Sequence, residues 1–124
     1  MKNPPEGWPR ISSAVFYEDA AAAIEWLTRA FGFKVQLKVE GEGGQLVLGG
    51  GLVMAGQAGL TPDRTYLKSP RAVDGANTQS LAVYVDDADA HCQRAAGTDI
   101  IVEPATQDYG EGYWADRSYQ APGP

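Results

Sequence analysis

The stretch FYEDAAAAIEWLTRAFGF, Phe16–Phe33, decides how this chain is read. A strand-like run stops at Tyr17, an acidic residue follows, and a helical pattern begins at once. Asp19 is a natural N-cap, because its carboxylate can accept from a free N–H of the first helical turn. Ile24, Leu27 and Phe31 fall at i, i+3 and i+7, and Ala20, Ala23 and Ala30 fill the same stripe. That spacing predicts a helix over Ala20–Phe31 with one buried face. Gly32 then supplies the left-handed backbone on which helices commonly end.

Working outward, Arg10–Tyr17 has strand character and residues 1–9, rich in Pro and Gly, read as an extended lead-in. Phe33–Glu40 (FKVQLKVE) alternates apolar and polar residues, as a half-buried strand does. Gly41–Gly44 reads as a hairpin turn, and Gln45–Gly56 as two short strands around three glycines. Gln57–Thr78 carries Pro62, Pro70 and Gly75 and reads as a long loop. Structureless loops of that length are usually functional or mobile.

The opening unit is then written again. VYVDDADAHCQRAAGTDI, Val83–Ile100, is the close of a strand over Gln79–Asp87, an Asp cap at Asp87, a short helix over Ala88–Ala96 and a stop at Gly97. Thr98–Pro104 and the SYQ segment near the end read as further strands. With Asp19 set on Asp87, an offset of 87 − 19 = 68, Ser12 meets Ser80, Ala14 meets Ala82, Val15 meets Val83 and Phe16 meets Tyr84. The expectation is an α+β domain of duplicated βαβββ modules sharing one curved mixed sheet around a cleft. The first module is 10–56, the linker 57–78, and 79–124 the second, incomplete module. Neither half buries its helix and both sheet faces alone. Period-two alternation puts Ile11, Ser13, Val15 and Tyr17 on the helix side, with Leu81, Val83 and Val85 as their counterparts. Ser12, Ala14, Phe16, Ser80, Ala82 and Tyr84 then line the cleft. Small, small, aromatic, repeated, leaves space for a small molecule walled by rings.

Composition narrows the partners. The 124 residues are 44% hydrophobic and 21% charged, ordinary for one globular domain. A net charge of −6 with scattered basic residues argues against nucleic acid or an anionic membrane. The single cysteine, Cys92, allows no intrachain disulfide and no cysteine-type zinc site. With no apolar signal segment in MKNPPEGWPR, the expected location is the cytoplasm.

The duplicated strand–Asp–helix units, together with the tail EPATQDYGEGYWADRSYQAPGP, resemble the glyoxalase/bleomycin resistance protein/dioxygenase family, the vicinal oxygen chelate superfamily. Within it the chain is most similar to PhnB-like, glyoxalase-like bacterial proteins. The resemblance covers nearly the whole chain and is specific for fold, while the fold hosts many chemistries. It implies metal ligands seven residues before each capping Asp. Those positions are Ser12 and Ser80, where metal-dependent members carry His or Gln. Serine hydroxyls are poor ligands for a divalent transition metal. No acid occurs in Leu52–Gly59, Ala121 stands where an Asp is usual, and Pro124 comes before the family's last strand, so either the second half is incomplete or the sheet closes differently. The resemblance also implies a homodimer, in which a partner covers the open sheet edge.

Other residues are weighed against duller roles. His91, the only histidine, lies on the second helix and reads as structural or solvent-facing. Cys92 aligns with Ile24 and reads as core. The glycines of Gly41–Gly51 lack a phosphate-loop ending, and Asp86–Asp89 suits a helix N-terminus. Tyr109, Tyr113 and Trp114 are candidates for stacking at the cavity, and Arg117 for orienting an anionic group. Glu103 and Tyr113 are weak candidates for acid–base work. The expected function is binding of a small apolar or aromatic molecule without a metal or other cofactor. The alternatives are a lyase, isomerase or dioxygenase of the vicinal oxygen chelate type, a metal-free catalyst, or a relict whose cavity is filled by its own side chains.

Overall fold

The computed structural model describes residues 3, 4, 6–63, 65–77, 79–95, 102–108 and 115–120. Its elements run β1 (Ser13–Tyr17), α1 (Ala20–Phe31), β2 (Lys34–Val39), β3 (Gly43–Leu48), β4 (Gly51–Gln57), a short 3₁₀ helix (Pro70–Val73), α2 (Ala88–Arg94), β5 (Val102–Asp108) and β6 (Ala115–Gln120). The architecture is α+β. One mixed sheet has the order β1-β4-β3-β2, with β1 and β4 parallel and the other pairs antiparallel. A second, two-stranded antiparallel sheet joins β5 to β6.

The helix forms where its spacing predicts. Asp19 accepts from the Ala22 N–H at 3.0 Å, and Gly32 ends the helix with φ +79°. A second cap comes from the sheet. Gln57, the last residue of β4, accepts from the Ala20 N–H through Oε1 at 3.0 Å, and its Nε2 donates to the Glu18 carbonyl. The start of α1 is thereby tied to the far end of its own sheet.

The buried face of α1 packs on β3 and β4. Ala23, Ile24 and Leu27 meet Tyr17, Phe33, Leu46, Val53 and Ala55, with Val15, Trp26, Phe31 and Leu48 at the margin. Each large side chain fully withdrawn from water here contributes roughly 1.5–3 kcal/mol, and Leu46 is 0% exposed. Burial of the phenol also pushes the Tyr17 ionisation up. The first module is therefore a complete βαβββ unit, and Val15 and Tyr17 lie on its helix side.

Two expectations need correction. Phe33–Glu40 does not make a half-buried strand, because every residue of β2 is exposed. β2 is an edge strand, and its pairing slips between Val35 and Leu37. Val35 stands opposite Leu46 on the helix side, whereas Leu37 stands opposite Gln45 and Val39 opposite Gly43 on the other side. One unpaired residue inverts the alternation beyond it. Secondly, 79–85 has no strand, and Leu81, Val83 and Tyr84 are exposed. An alternating pattern makes a strand only when a neighbouring strand takes its N–H and C=O groups, and no described strand pairs with this segment. Among the described residues the strands lie in a sheet of four from the first half and a small sheet of two from the second. Asp87 still caps α2, accepting from the Ala90 N–H at 3.1 Å. Ala96, Gly97 and the start of the Thr98–Pro104 strand lie outside the described residues.

Candidate functional site

The sheet has a second face, turned away from α1. Parallel pairing sets Ala14 against Met54 and Phe16 against Gly56, while Ser13 and Val15 pair with the core residues Val53 and Ala55. The Phe16 ring lies over Gly56, where a Cβ would come within 2.7 Å of the Phe16 Cε1. Glycine at this one position lets the ring lie flat along the sheet.

Beside that ring is a cavity of about 230 Å³, lined by Phe16, Glu42, Gly56, Gln57, Gly59, Leu60, Thr61 and Leu67. The strands give its floor, the β2–β3 turn gives Glu42, and the chain after β4 folds back as its wall. Gln57 is already committed to the start of α1, which fixes the wall's point of departure; the neighbouring Ala58 N–H donates to the Tyr17 carbonyl at 2.8 Å. Thr61 Oγ1 is buried, shut off from the cavity's open space, and without a hydrogen-bond partner among the described residues.

The chain is matched over residues 10–120 by the sequence model of the Glyoxalase/Bleomycin resistance protein/Dioxygenase superfamily. It belongs to this superfamily. Among solved structures it is similar to TioX from Micromonospora sp. ML1, at 28% identity over 90% of this chain and 86% of that one, with a TM-score of 0.56. An integron cassette protein from the mobile metagenome of V. Cholerae covers 100% of this chain and 90% of its own at a TM-score of 0.68. Its identity is 15%, so that likeness concerns the fold alone. Among curated proteins none matches.

Within this superfamily member the residues read from sequence as a site are dispersed. Ser12 is half-buried ahead of β1, Ala14 is exposed on β1, and Phe16 reaches the cavity. Ser80, Ala82 and Tyr84 are exposed on 79–85, with Tyr84 at 89%. Tyr109, Tyr113 and Trp114 lie outside the described residues. Arg117, on β6, is not free for an anion. Its Nε donates to Asp89 Oδ2 at 2.6 Å and its Nη1 to Thr106 Oγ1 at 3.2 Å. That hydrogen bond holds the Asp89 carboxyl below its ordinary range. The ion pair therefore contributes at pH above the ordinary carboxylate pKa and is lost as pH falls through the lowered value. Both side chains are about half exposed, so solvent screens the pair. Glu103 is exposed on β5. Desolvation, with smaller effects from Glu103 and Asp89, pushes the Cys92 thiol up, away from the reactive thiolate.

His91 has a structural place. Its Nε2 is 3.0 Å from the Phe31 carbonyl, which can only accept, so Nε2 carries the proton. Nδ1 then accepts from the Tyr119 hydroxyl at 2.6 Å, and the ring stacks on Phe31 at 5.4 Å. Arg94 lies over Gly32 and donates to the Arg29 and Thr28 carbonyls. Together these side chains reach the Thr28, Arg29 and Phe31 carbonyls at the end of α1 and dock α2 there.

Among the described residues the donor set does not fit the superfamily's metal chemistry. Ser12 and Ser80 offer only neutral hydroxyls. Among the described residues no three His, Cys, Asp or Glu side chains group to hold an ion.

Of the residues that line this cavity, Phe16 is among those the alternation pattern names, and Glu42, Gly56, Gln57, Gly59, Leu60, Thr61 and Leu67 are not. The only signal for them was the length of the loop after β4, which reads as functional or mobile without saying which residues face inward.

Proposed function

We propose that this protein, a PhnB-like, glyoxalase-like member of the superfamily, binds a small, flat, mostly apolar or aromatic molecule without a metal. The observation that carries the reading is the cavity beside Phe16, on the sheet face away from the helix. An apolar floor with a few polar groups on its walls is the usual make-up of a small-molecule site. The acting form is a homodimer. Leu37, Val39 and Met54 are exposed on one half, and Leu81, Val83 and Tyr84 on the other. A second copy would cover both patches.

Native mass spectrometry of protein purified without added metal tests these statements together. The expected spectrum shows a species of twice 13.2 kDa. It carries no equivalent of zinc, nickel, manganese or iron, and added indole gives one adduct per chain. A stoichiometric metal lost in Ser12→Ala or Ser80→Ala would return the protein to the enzyme reading. A monomer that takes up no indole would remove the binding reading.

A further inference from the structure

We infer that a second binding site, for a flat organic cation of the guanidinium or amidinium class, lies at the end of the four-stranded sheet that carries the β3–β4 turn. A cavity of about 150 Å³ opens there, bordered by Glu6, Trp8 and Pro9 of the lead-in, by Gln36 and Val47 of the strands, and by Leu52 beside the turn glycines. It shares no lining residue with the cavity beside Phe16. The lead-in is held in place at this point. Val47 and Leu52 pair with each other on the face away from α1, because their neighbours Leu46 and Val53 belong to the core under the helix. Leu52 is nevertheless only 4% exposed. Trp8 and Pro9, both half-buried, border the same cavity and account for that cover.

The bulge of β2 adds a second element. Val35 pairs with Leu46 and Leu37 with Gln45, so Gln36 stands opposite no residue of β3. Bulges re-aim a side chain and recur beside functional sites, and the residue left out of this ladder is the one that borders the cavity. Gly49 and Gly50 have open space where a Cβ would stand, which keeps the turn side clear. The only charged group in the lining is the Glu6 carboxylate, and among the described residues no basic side chain borders the cavity. An anion would meet that carboxylate without a counter-charge, on a chain of net charge −6. A carboxylate only accepts, and a guanidinium carries five donors and no acceptor. The guanidinium plane also stacks on aromatic faces, indole best of all, and is less strongly hydrated than an ammonium. The cation therefore lies against the Trp8 ring, gives two N–H groups to Glu6 and one to the Gln36 Oε1. Glu6 is exposed, so salt screens the charge pair.

Ethylguanidinium and ethylurea test this, since they share a shape and only the first is charged. Each is titrated into the full chain at low salt and followed by amide chemical shifts. Ethylguanidinium should give saturable shifts at Trp8, Gln36 and Gly49–Gly51 and leave Phe16 and Gly56 unmoved. Ethylurea should bind about threefold more weakly, the scale of an exposed charge pair. Glu6→Gln should bring the two probes to equal affinity and remove the salt dependence. Trp8→Leu keeps an apolar cover over Leu52 and removes the ring, and should weaken ethylguanidinium about threefold. Equal binding of both probes by the unaltered chain would overturn the inference, because the cavity would then select no cation. Shifts that never saturate, or full affinity in Trp8→Leu, would overturn it as well. Indole uptake beside Phe16 is scored separately, so either site can fail without the other.

Discussion

Gly56 and Phe16 set the dimensions of the site between them. Phe16 was legible in the sequence because alternation from Tyr17, the last residue before the cap, puts it on the face opposite the helix. Gly56 was not, because its role depends on a parallel partner forty residues away in the chain. Gly56→Ala would place a methyl 2.7 Å from the ring, so the ring must swing into the cavity. Overpacking of this kind costs roughly 1–3 kcal/mol where nothing gives. A ring edge bordering open space can give, so the melting temperature should fall only slightly. Indole affinity should fall by about tenfold, read by calorimetry. Unchanged affinity would mean that the ring is not part of the site. The wall after β4 was illegible for a different reason: nothing in the order GLTPD, residues 59–63, tells which residues of a loop border a cavity.

At the scale of elements, α1 was readable to the residue because its signals are local. Asp19, the apolar stripe and Gly32 all act within one turn of the positions they define. The bulge in β2 carries no comparable mark, since KVQLKV alternates perfectly. Only pairing with β3 shows that Leu37 and Val39 have changed sides. The segment 79–85 repeats the pattern of β1 and has no strand for the same reason, because partners for strands come from distant sequence. Its helix did form, since Asp87 caps locally. The docking of α2 on α1 was missed entirely. His91 read correctly as a structural residue, but neither the Phe31 carbonyl nor Tyr119 could be named as its partner. His91→Ala removes two hydrogen bonds and a stacked ring, and should cost about 2 kcal/mol in a denaturant melt. Indole affinity should stay unchanged, because the histidine is bound to the end of α1 and does not line the cavity. Lost binding with unchanged stability would place the functional surface on α2 instead.

For the molecule as a whole, the fold class and the superfamily were legible because the strand–Asp–helix unit is written twice. The division of labour between the halves was not. The first half is a finished βαβββ module with its own core, and the cavity belongs to it and to the chain that follows β4. The second half holds the end of α1 and keeps two of its strands in a separate sheet. The central claim is that the sheet face away from α1 is where a ligand binds. Amide chemical-shift mapping during an indole titration tests this most directly. The account predicts saturable shifts at Phe16, Gly56, Gln57 and Thr61, with Glu25 and Arg29 on the exposed side of α1 unmoved. Saturable shifts centred on His91, Arg94 and Tyr119, with Phe16 and Gly56 silent, would contradict it.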